Sequence, residues 1–351
     1  MHILATRPGG YAAGEGVVDL GQTPGDVVIL SAADTDLLLL AGACEELPAQ
    51  APSLRLASLL ALRSNASVDL YFDKVLRHAR VVVVALMGGV SYWPYGVELL
   101  MERAREGGLE LLLVPGDDTP DLELDRCSSV PVGDCRRVWR YLREGGPDNA
   151  RLLLGYLEAR FFGRGTDPGA ARELPRVTVY HPEHGACELA RWRERWRTGA
   201  PVAALLFYRA HLQAGNLAAF DGLIAELERA GLNPLPIALA SLKEEEGRVQ
   251  VQQLLQRAGA ELILNTTGFA VGGLDAAGSD LAALGLGRPV LQVIVSGGNL
   301  EDWQRGSSGL SSRDLAMSVV LPEVDGRIIT RAVSFKGLAR RSLRSQALVT
   351  E

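Results

Sequence analysis

Polar and charged residues follow four apolar runs in the second half of the sequence, each at the point where the run ends. The polar ends are Tyr208–His211, Ser241–Lys243, Asn265–Gly268 and Ser296–Asn299. Continuous apolar runs of this kind are typical of buried parallel strands. Ligands of open α/β sheets bind beyond the carboxyl ends of the strands, because loops converge and helix amino termini point inward there. The four ends therefore predict a rim that can hold a polar or anionic ligand.

Two cations and four smaller polar residues are the predicted ligand contacts of this rim. Arg209 and Lys243 favour carboxylate groups. The hydrogen-bonding candidates are Asn265, Thr266, Thr267 and Ser296. Capping is the alternative role for every one of these small polar groups, because helix caps and turns use the same residue types.

His211 is the residue of the rim best suited to chemistry. An imidazole just past a strand end can accept a proton near neutral pH or bind a divalent metal. A hydrogen-bonded structural histidine is the alternative. Away from the rim, the segment His181–His184 offers two imidazoles and one carboxylate, which could bind a metal. Its proline and the glycine beside it favour a structural turn instead.

An aromatic loop in the first half of the sequence, Gly88–Gly96, offers a different kind of contact. Trp93, with Tyr92 and Tyr95 beside it, could stack on a flat ligand. Packing of the same rings in a buried core explains the loop equally well. Trp93 is therefore a candidate substrate contact with core packing as its alternative.

The composition is that of a folded, soluble protein. Of the 351 residues, 47% are hydrophobic and 22% are charged, which excludes a mainly disordered or fibrous chain. The formal charge of −6 has the wrong sign for a protein whose main task is binding nucleic-acid phosphates. The longest apolar runs stop at about eight residues, far below the roughly 20 of a membrane helix. With no secretory signal pattern either, we expect a cytoplasmic protein whose four cysteines are reduced thiols.

Three common catalytic templates are absent from the sequence. It contains no Gly-x-x-x-x-Gly-Lys-Ser/Thr phosphate loop, no Gly-x-Ser-x-Gly nucleophile turn and no His-Glu-x-x-His helix. We therefore expect no ATP site in this chain.

The order of predicted elements indicates an α/β protein with two sheets. Short β-type runs alternate with amphipathic helical segments from residue 26 to about residue 145, which predicts a first α/β domain over residues 1–145. Residues 146–198 read as a helical connector. From residue 199 to 351 the strand and helix alternation returns and predicts a second, parallel-sheet α/β unit.

Several stretches resemble one protein family. They are Leu206–Asn216, Asn265–Ala270, Pro289–Val293 and Leu315–Thr330, together with Arg7–Gly10, Leu30–Asp36 and Tyr180–Gly185. In these stretches the chain resembles the large subunit of aerobic cobaltochelatase, and the related large subunit of magnesium chelatase less closely. Because the stretches are spread from end to end, the resemblance covers essentially the whole chain.

The resemblance implies both an activity and a fold. Family members insert Co²⁺, their substrate metal, into the corrin precursor hydrogenobyrinic acid a,c-diamide during aerobic cobalamin synthesis. Two ATPase-type partner subunits use ATP and Mg²⁺, which agrees with the missing phosphate loop. The second unit is expected to be flavodoxin-like and to begin the chelatase body. Since family large subunits are several times longer, we expect this chain to be an amino-terminal portion or a truncated member.

The resemblance also suggests roles for the rim. His211 would carry the metal or act as the base, and Arg209 would pair with a macrocycle carboxylate. Glu323 and Asp325 are acidic alternatives for metal delivery and catalysis. A solvated turn around Pro322 is the competing explanation for these two carboxylates.

Three other functions remain open. The chain could be the porphyrin-binding subunit of a magnesium chelatase, or a non-catalytic module that binds a tetrapyrrole or docks the ATPase subunits. An unrelated sugar- or nucleotide-binding α/β protein is supported by fold analogy alone.

Overall fold

The computed structural model of the chain describes residues 16–268, 287–306 and 309–350. These residues form two compact units. The first unit holds the described residues up to Glu173, the segment Gln213–Gly215 and the residues from Leu338 onward. The second unit holds Leu174–Leu212 and the described residues of Asn216–Gly337. The segment predicted as a helical connector is thus divided between the two units.

A four-stranded parallel sheet forms the centre of the first unit. Its strands are β1 (Val27–Ser31), β2 (Leu54–Ser58), β3 (Val81–Leu86) and β4 (Glu110–Pro115), in the order β2-β1-β3-β4. The apolar run Leu54–Leu62 begins as β2, but its second half turns into a 3₁₀ helix at Leu59–Ala61. Ser58 ends the strand because its hydroxyl accepts the backbone N–H of Leu60 at 3.3 Å.

Helices cover both faces of this sheet. They are α1 (Asp34–Glu45), α2 (Asn65–Lys74), α3 (Pro94–Arg105), α4 (Leu122–Cys127), α5 (Val132–Glu144) and α6 (Gly146–Phe162). Alternate side chains of a strand point to opposite faces. Val27 and Ile29 accordingly enter the core built with α1, α5 and α6, whereas Val28 and Leu30 enter the core built with α2 and α3. The strands β12 (Leu338–Arg341) and β13 (Leu348–Thr350) form an antiparallel pair in the same unit.

A seven-stranded sheet forms the centre of the second unit. Its strands are β5 (Val177–His181), β6 (Gly185–Cys187), β7 (Val202–Tyr208), β8 (Asn233–Leu239), β9 (Ala260–Asn265), β10 (Val290–Ser296) and β11 (Ile328–Phe335). The sheet order is β11-β10-β9-β7-β8-β5-β6. The five strands from β7 to β11 are parallel and follow the flavodoxin-like order 2-1-3-4-5, which confirms the predicted fold class.

The hairpin of β5 and β6 is the element that the sequence did not reveal. It pairs antiparallel with β8 and lies within residues 146–198, which the sequence predicts to be a helical connector. The alternating run Val177–His181 is short, and the surrounding glycines and prolines mask its period of two.

Helices of 4 to 14 residues follow the strands of the second unit. From residue 189 onward the helices are α7 (Leu189–Arg193), α8 (Ala210–Ala214), α9 (Ala218–Arg229), α10 (Glu245–Ala258), α11 (Leu300–Arg305), α12 (Ser312–Leu315) and α13 (Leu321–Val324), with a π-helical turn at Ala316–Val320. The last two residues of α8 belong to the first unit. Across the described residues, every helix is too short or too polar to cross a membrane.

Candidate functional site

The carboxyl ends of the parallel strands meet at one edge of the second unit, as the sequence predicts. Chain order reverses between β7 and β9, because β8 lies on one side of β7 and β9 lies on the other. Such a switch point opens a crevice between the loops of two adjacent strands, and ligands of open α/β sheets bind there. The strand-end residues Tyr208 and Asn265 lie on the two strands that flank it.

Hydrogen bonds connect the two strand ends at the switch point. Thr266 donates its backbone N–H and its Oγ1 hydroxyl to the carbonyl oxygen of Leu206, at 2.9 and 3.0 Å. Tyr208 donates its hydroxyl to the carbonyl oxygen of Gly268 at 3.1 Å, and burial raises the pKa of this phenol. These hydrogen bonds therefore tie the two strand ends together beneath the crevice.

A network of buried amide and guanidinium groups lies beneath the β9 and β10 ends. Asn265 donates through Nδ2 to Oε1 of Gln292 at 3.0 Å, and its Oδ1 accepts the Oγ1 hydroxyl of Thr267 at 2.9 Å. Gln292 donates through Nε2 to the carbonyl oxygen of Thr267 at 3.1 Å. All three side chains are at most 2% exposed. Asn265 and Thr267 thus shape the turn from within, and their side chains are not on the surface that a ligand would touch.

Arg327 extends this network to the neighbouring loop. Its Nη1 donates to Gln292 Oε1 at 2.8 Å and to the Thr267 carbonyl oxygen at 3.1 Å, while its Nη2 pairs with Asp325 Oδ2 at 2.9 Å. Burial lowers the pKa of Arg327, and the charge of Asp325 opposes that shift. Because the Asp325 carboxylate is buried in this ion pair, a metal ion could bind it only if the ion pair with Arg327 were broken.

Ser296 belongs to a second polar cluster at the end of β10. Its hydroxyl donates to Oδ2 of Asp314 at 2.7 Å, and the backbone N–H of Gly297 donates to Oδ1 of the same carboxylate at 3.1 Å. Asp314 is 7% exposed, so this carboxylate holds the Ser296–Gly298 turn rather than facing solvent.

The remaining rim residues are more accessible. His211 is half-buried on α8, with its ring centroid 4.6 Å from that of Phe220. Arg209 is half-buried, and its Nη1 donates to the Leu174 carbonyl oxygen at 2.5 Å. Lys243 follows β8. Glu323 is not at the rim, because it lies in the first turn of α13, before the amino-terminal end of β11. Both are exposed to solvent.

Trp93 has the surroundings of a core residue. It lies in the first unit, is 5% exposed and donates its indole N–H to the Leu62 carbonyl oxygen at 2.8 Å. A Cβ atom added at Gly96 would come within 2.2 Å of its ring. With so little of the ring exposed, the packing alternative describes Trp93 in this structure.

One cluster has the composition and spacing of a metal site. The ligand atoms of His181, Glu183 and His184 all lie within 4.8 Å of one another. Among the described residues, neither His211 nor Asp325 joins a group of three or more potential ligands at this spacing.

The sequence analysis did not identify the structural roles of Gln292, Asp314 and Arg327. A glutamine in the middle of an apolar strand was the available signal, because a buried amide needs partners.

Comparison with known proteins decides the family. The sequence profile described as CobN/Magnesium Chelatase matches residues 139–350, which include the whole second sheet. The chain belongs to this family. It is 49% identical over 347 residues to the aerobic cobaltochelatase subunit CobN of Pseudomonas aeruginosa, covering 99% of this chain and 28% of that protein. It is 40% identical to the CobN subunit of Sinorhizobium sp., covering 96% of this chain and 27% of that one.

Other members of the family align over less of the sequence or at lower identity. A magnesium-chelatase subunit of Rhodobacter capsulatus is 28% identical over 54% of this chain and 17% of its own length. The solved catalytic subunit of cobaltochelatase from Mycobacterium tuberculosis superimposes with a TM-score of 0.69 at 28% identity, covering 93% of this chain and 26% of that one. The chain therefore spans roughly a quarter of the length of its cobaltochelatase relatives.

Proposed function

We propose that this chain is part of an ATP-dependent cobaltochelatase of aerobic cobalamin synthesis. The carrying observation is the 49% identity to a cobaltochelatase subunit over 99% of the chain. The substrates would be Co²⁺ and the corrin precursor hydrogenobyrinic acid a,c-diamide. Because the chain spans 28% of that relative, the complete catalytic cleft would include the polypeptide that corresponds to the remainder.

The macrocycle would bind at the carboxyl edge of the second sheet, above the β7–β9 switch point. A corrin precursor is flat and carries carboxylate side chains, so it needs cations at its rim and a fixed polar floor. Arg209 and Lys243 follow β7 and β8 and would supply the cations. The buried Asn265, Thr266 and Thr267 would fix the floor and act as positioning residues.

Metal insertion requires protons to leave the ring nitrogens and water to leave the metal. His211 lies just past β7, where a half-buried imidazole could accept a ring proton or hand over the metal. Glu323, the acidic alternative, is an exposed carboxylate on α13, which leads into the amino-terminal end of β11. Because β11 is parallel to β10, Glu323 lies toward the opposite edge of the sheet and would act only on a substrate that extends beyond the carboxyl edge. Asp325 would contribute through its ion pair with Arg327.

ATP hydrolysis would be carried out by two ATPase-type partner subunits, with Mg²⁺ at their sites. The absence of a phosphate loop from the sequence supports this division of labour.

Titration of the purified chain with hydrogenobyrinic acid a,c-diamide, followed by the absorption of the corrin, tests the proposal. We expect saturable binding that weakens at least about tenfold in Arg209→Ala, which corresponds to about 1.4 kcal/mol. Arg229→Ala is the matched control, because Arg229 is an exposed arginine paired with Glu226 on α9. Absence of corrin binding both in this chain and in the chain joined to the remainder of the large subunit would overturn the proposal.

The same titration with protoporphyrin separates the two chelatase activities. The magnesium chelatase alternative has weaker support, since the subunit from Rhodobacter capsulatus aligns with 54% of the chain at 28% identity. Preference for protoporphyrin and Mg²⁺ would favour that alternative. Corrin binding that gives no cobalt insertion when the partner subunits and the rest of the large subunit are supplied would favour a non-catalytic binding module.

A further inference from the structure

The hairpin between β5 and β6 gathers three metal-ligating side chains outside the site described above. His181 ends β5, and His184 closes the turn by donating its backbone N–H to the His181 carbonyl oxygen at 3.2 Å. Glu183 lies between them in the turn. The candidate ligand atoms of the three side chains are within 4.8 Å of one another. A turn of this length therefore brings two imidazoles and a carboxylate to one point.

The His181 ring is buried against Trp192. It is fully buried, and its ring centroid lies 4.7 Å from that of Trp192 and 4.7 Å from that of His184. The indole of Trp192 is itself fixed, because its N–H donates to the Tyr180 carbonyl oxygen at 2.7 Å. His184 and Glu183 are exposed. The cluster thus combines one rigid, buried imidazole with two side chains that can adjust around an ion.

A cationic group already lies against the cluster. Arg195 places Nη1 2.9 Å from Nε2 of His181 and 3.7 Å from Oε1 of Glu183. The backbone N–H of Glu183 faces the other ring nitrogen, Nδ1, at 3.1 Å. A neutral imidazole has one acceptor nitrogen, so His181 can accept only one of these two hydrogen bonds. The other N–H group can therefore leave His181 for a different partner without loss of a hydrogen bond to the ring. The Arg195 side chain is 45% exposed, and its Nη2 lies 3.9 Å from Oε1 of Glu228. The Glu228 carboxylate is therefore an alternative partner for the Arg195 guanidinium.

We propose that His181, Glu183 and His184 bind one divalent first-row transition-metal ion, with Arg195 moving onto Glu228 as the ion enters. Two imidazoles and one carboxylate suit Zn²⁺, Co²⁺ or Ni²⁺, whereas Mg²⁺ and Ca²⁺ select oxygen ligands. Three protein ligands leave at least one coordination position to water. The exposure of two of the ligands suits an ion that exchanges with solvent.

This metal site is distinct from the proposed macrocycle site. β5 runs antiparallel to β8, with Val179 opposite Ile237, so the hairpin turn lies toward the amino-terminal end of β8. His211 follows the carboxyl-terminal end of β7, which is parallel to β8. The two histidine positions therefore lie toward opposite edges of one sheet. The proposal does not depend on the chelatase activity.

Titration of the purified chain with Co²⁺, read by its visible absorption and by equilibrium dialysis, tests the site. We expect one bound ion per chain, competition by Zn²⁺ and no competition by Mg²⁺. His184→Ala should weaken binding at least about tenfold, and Glu183→Gln should weaken it less. Arg195→Ala should tighten binding, because it removes a competing cation. Since these three side chains are exposed, circular dichroism should show each variant folded.

His78→Ala is the matched control, because His78 is an exposed histidine of the first unit. His211→Ala separates this proposal from the proposed function. Loss of the bound ion in His184→Ala and its retention in His211→Ala would support the hairpin site. Absence of a bound ion, or retention of full affinity in His184→Ala, would overturn it, whatever the result of the corrin titration.

Discussion

Arg327 and Asp325 form a buried ion pair, with Nη2 of the guanidinium 2.9 Å from Oδ2 of the carboxylate and side-chain exposures of 0% and 5%. The two residues flank Gly326, whose φ of 72° turns the chain between α13 and β11. The pair therefore fixes the loop at the end of the sheet while Nη1 of Arg327 reaches the Thr267 carbonyl oxygen. A buried charge of either sign is costly when its partner is removed.

Asp325→Ala should lower the free energy of unfolding of the second unit by about 3–5 kcal/mol, because it leaves the Arg327 guanidinium buried without its counter-ion. The double variant Asp325→Leu with Arg327→Met should cost less than Asp325→Ala, because both charges are then removed together. Urea denaturation followed by tryptophan fluorescence measures both. A double variant that is less stable than the single one would contradict this reasoning.

Asn265→Ala should lower the free energy of unfolding by about 1–3 kcal/mol, because it removes the acceptor of the buried Thr267 hydroxyl and backbone N–H and leaves Arg327 as the remaining donor to Gln292 Oε1. If the network fixes the floor of the macrocycle site, corrin affinity should fall in the same variant. Asn299→Ala is the control, since Asn299 caps the short surface helix α11. Unchanged corrin affinity in a destabilised Asn265→Ala variant would restrict Asn265 to a structural role.

His211→Ala should abolish or strongly reduce cobalt insertion by the assembled enzyme while leaving corrin binding within a few-fold. The reason is that a proton acceptor or metal carrier acts on the reaction, whereas Arg209 acts on binding. The rate of metal insertion over a range of pH gives the readout, and His78→Ala is the control. Normal insertion by His211→Ala would remove this histidine from the mechanism.

Gly96→Ala should destabilise the first unit by about 1–3 kcal/mol, because the new methyl group would overlap the Trp93 ring. Gly42→Ala is the matched control on α1, where an added Cβ meets no atom within 4 Å. That substitution should be neutral or stabilising by up to about 1 kcal/mol, since alanine favours helix. Equal stability of the two variants would show that Trp93 is not tightly packed.

Loss of the Asp36 proton should lower the free energy of unfolding of the first unit as the pH rises from about 4 to 7. Burial raises the pKa of Asp36 from 3.8 to about 6, and the hydrogen bond from the Ser31 hydroxyl at 2.7 Å opposes that shift. The folded state therefore binds this proton more tightly than the unfolded state. The contribution of protonated Asp36 to the stability of the folded state is therefore fully present below about pH 4 and is lost as the pH rises through about 6.

Asp36→Asn should accordingly increase the free energy of unfolding at pH 7.5 and change it less at pH 4.5. The gain has an upper limit of about 3 kcal/mol, from about 1.4 kcal/mol per pKa unit, and partial exposure at the amino end of α1 reduces it. Urea denaturation at the two pH values measures it. Asp34→Asn removes the same charge from the same turn. An equal gain at pH 7.5 in both variants would contradict a specific effect of Asp36.

The sequence by itself determined the α/β class, most of the strands and the edge at which the second sheet gathers its polar residues. These follow from local patterns. Apolar runs such as Val81–Leu86 fill a strand buried on both faces, and parallel pairing places every carboxyl end at the same edge. The motifs between Leu206 and Thr330 were also sufficient to suggest the family, because they are specific in residue type and order.

Only the tertiary structure decided which polar residues face a ligand and which support the fold. Asn265 and Thr267 have the residue types of a binding loop, yet Gln292 and Arg327 draw them into the interior from distant parts of the chain. The turn itself brings His181 and His184 together, but only the tertiary structure places the Trp192 ring against His181 and Arg195 beside it. Burial and hydrogen-bond partners depend on contacts between residues far apart in sequence, and local composition carries no record of those contacts.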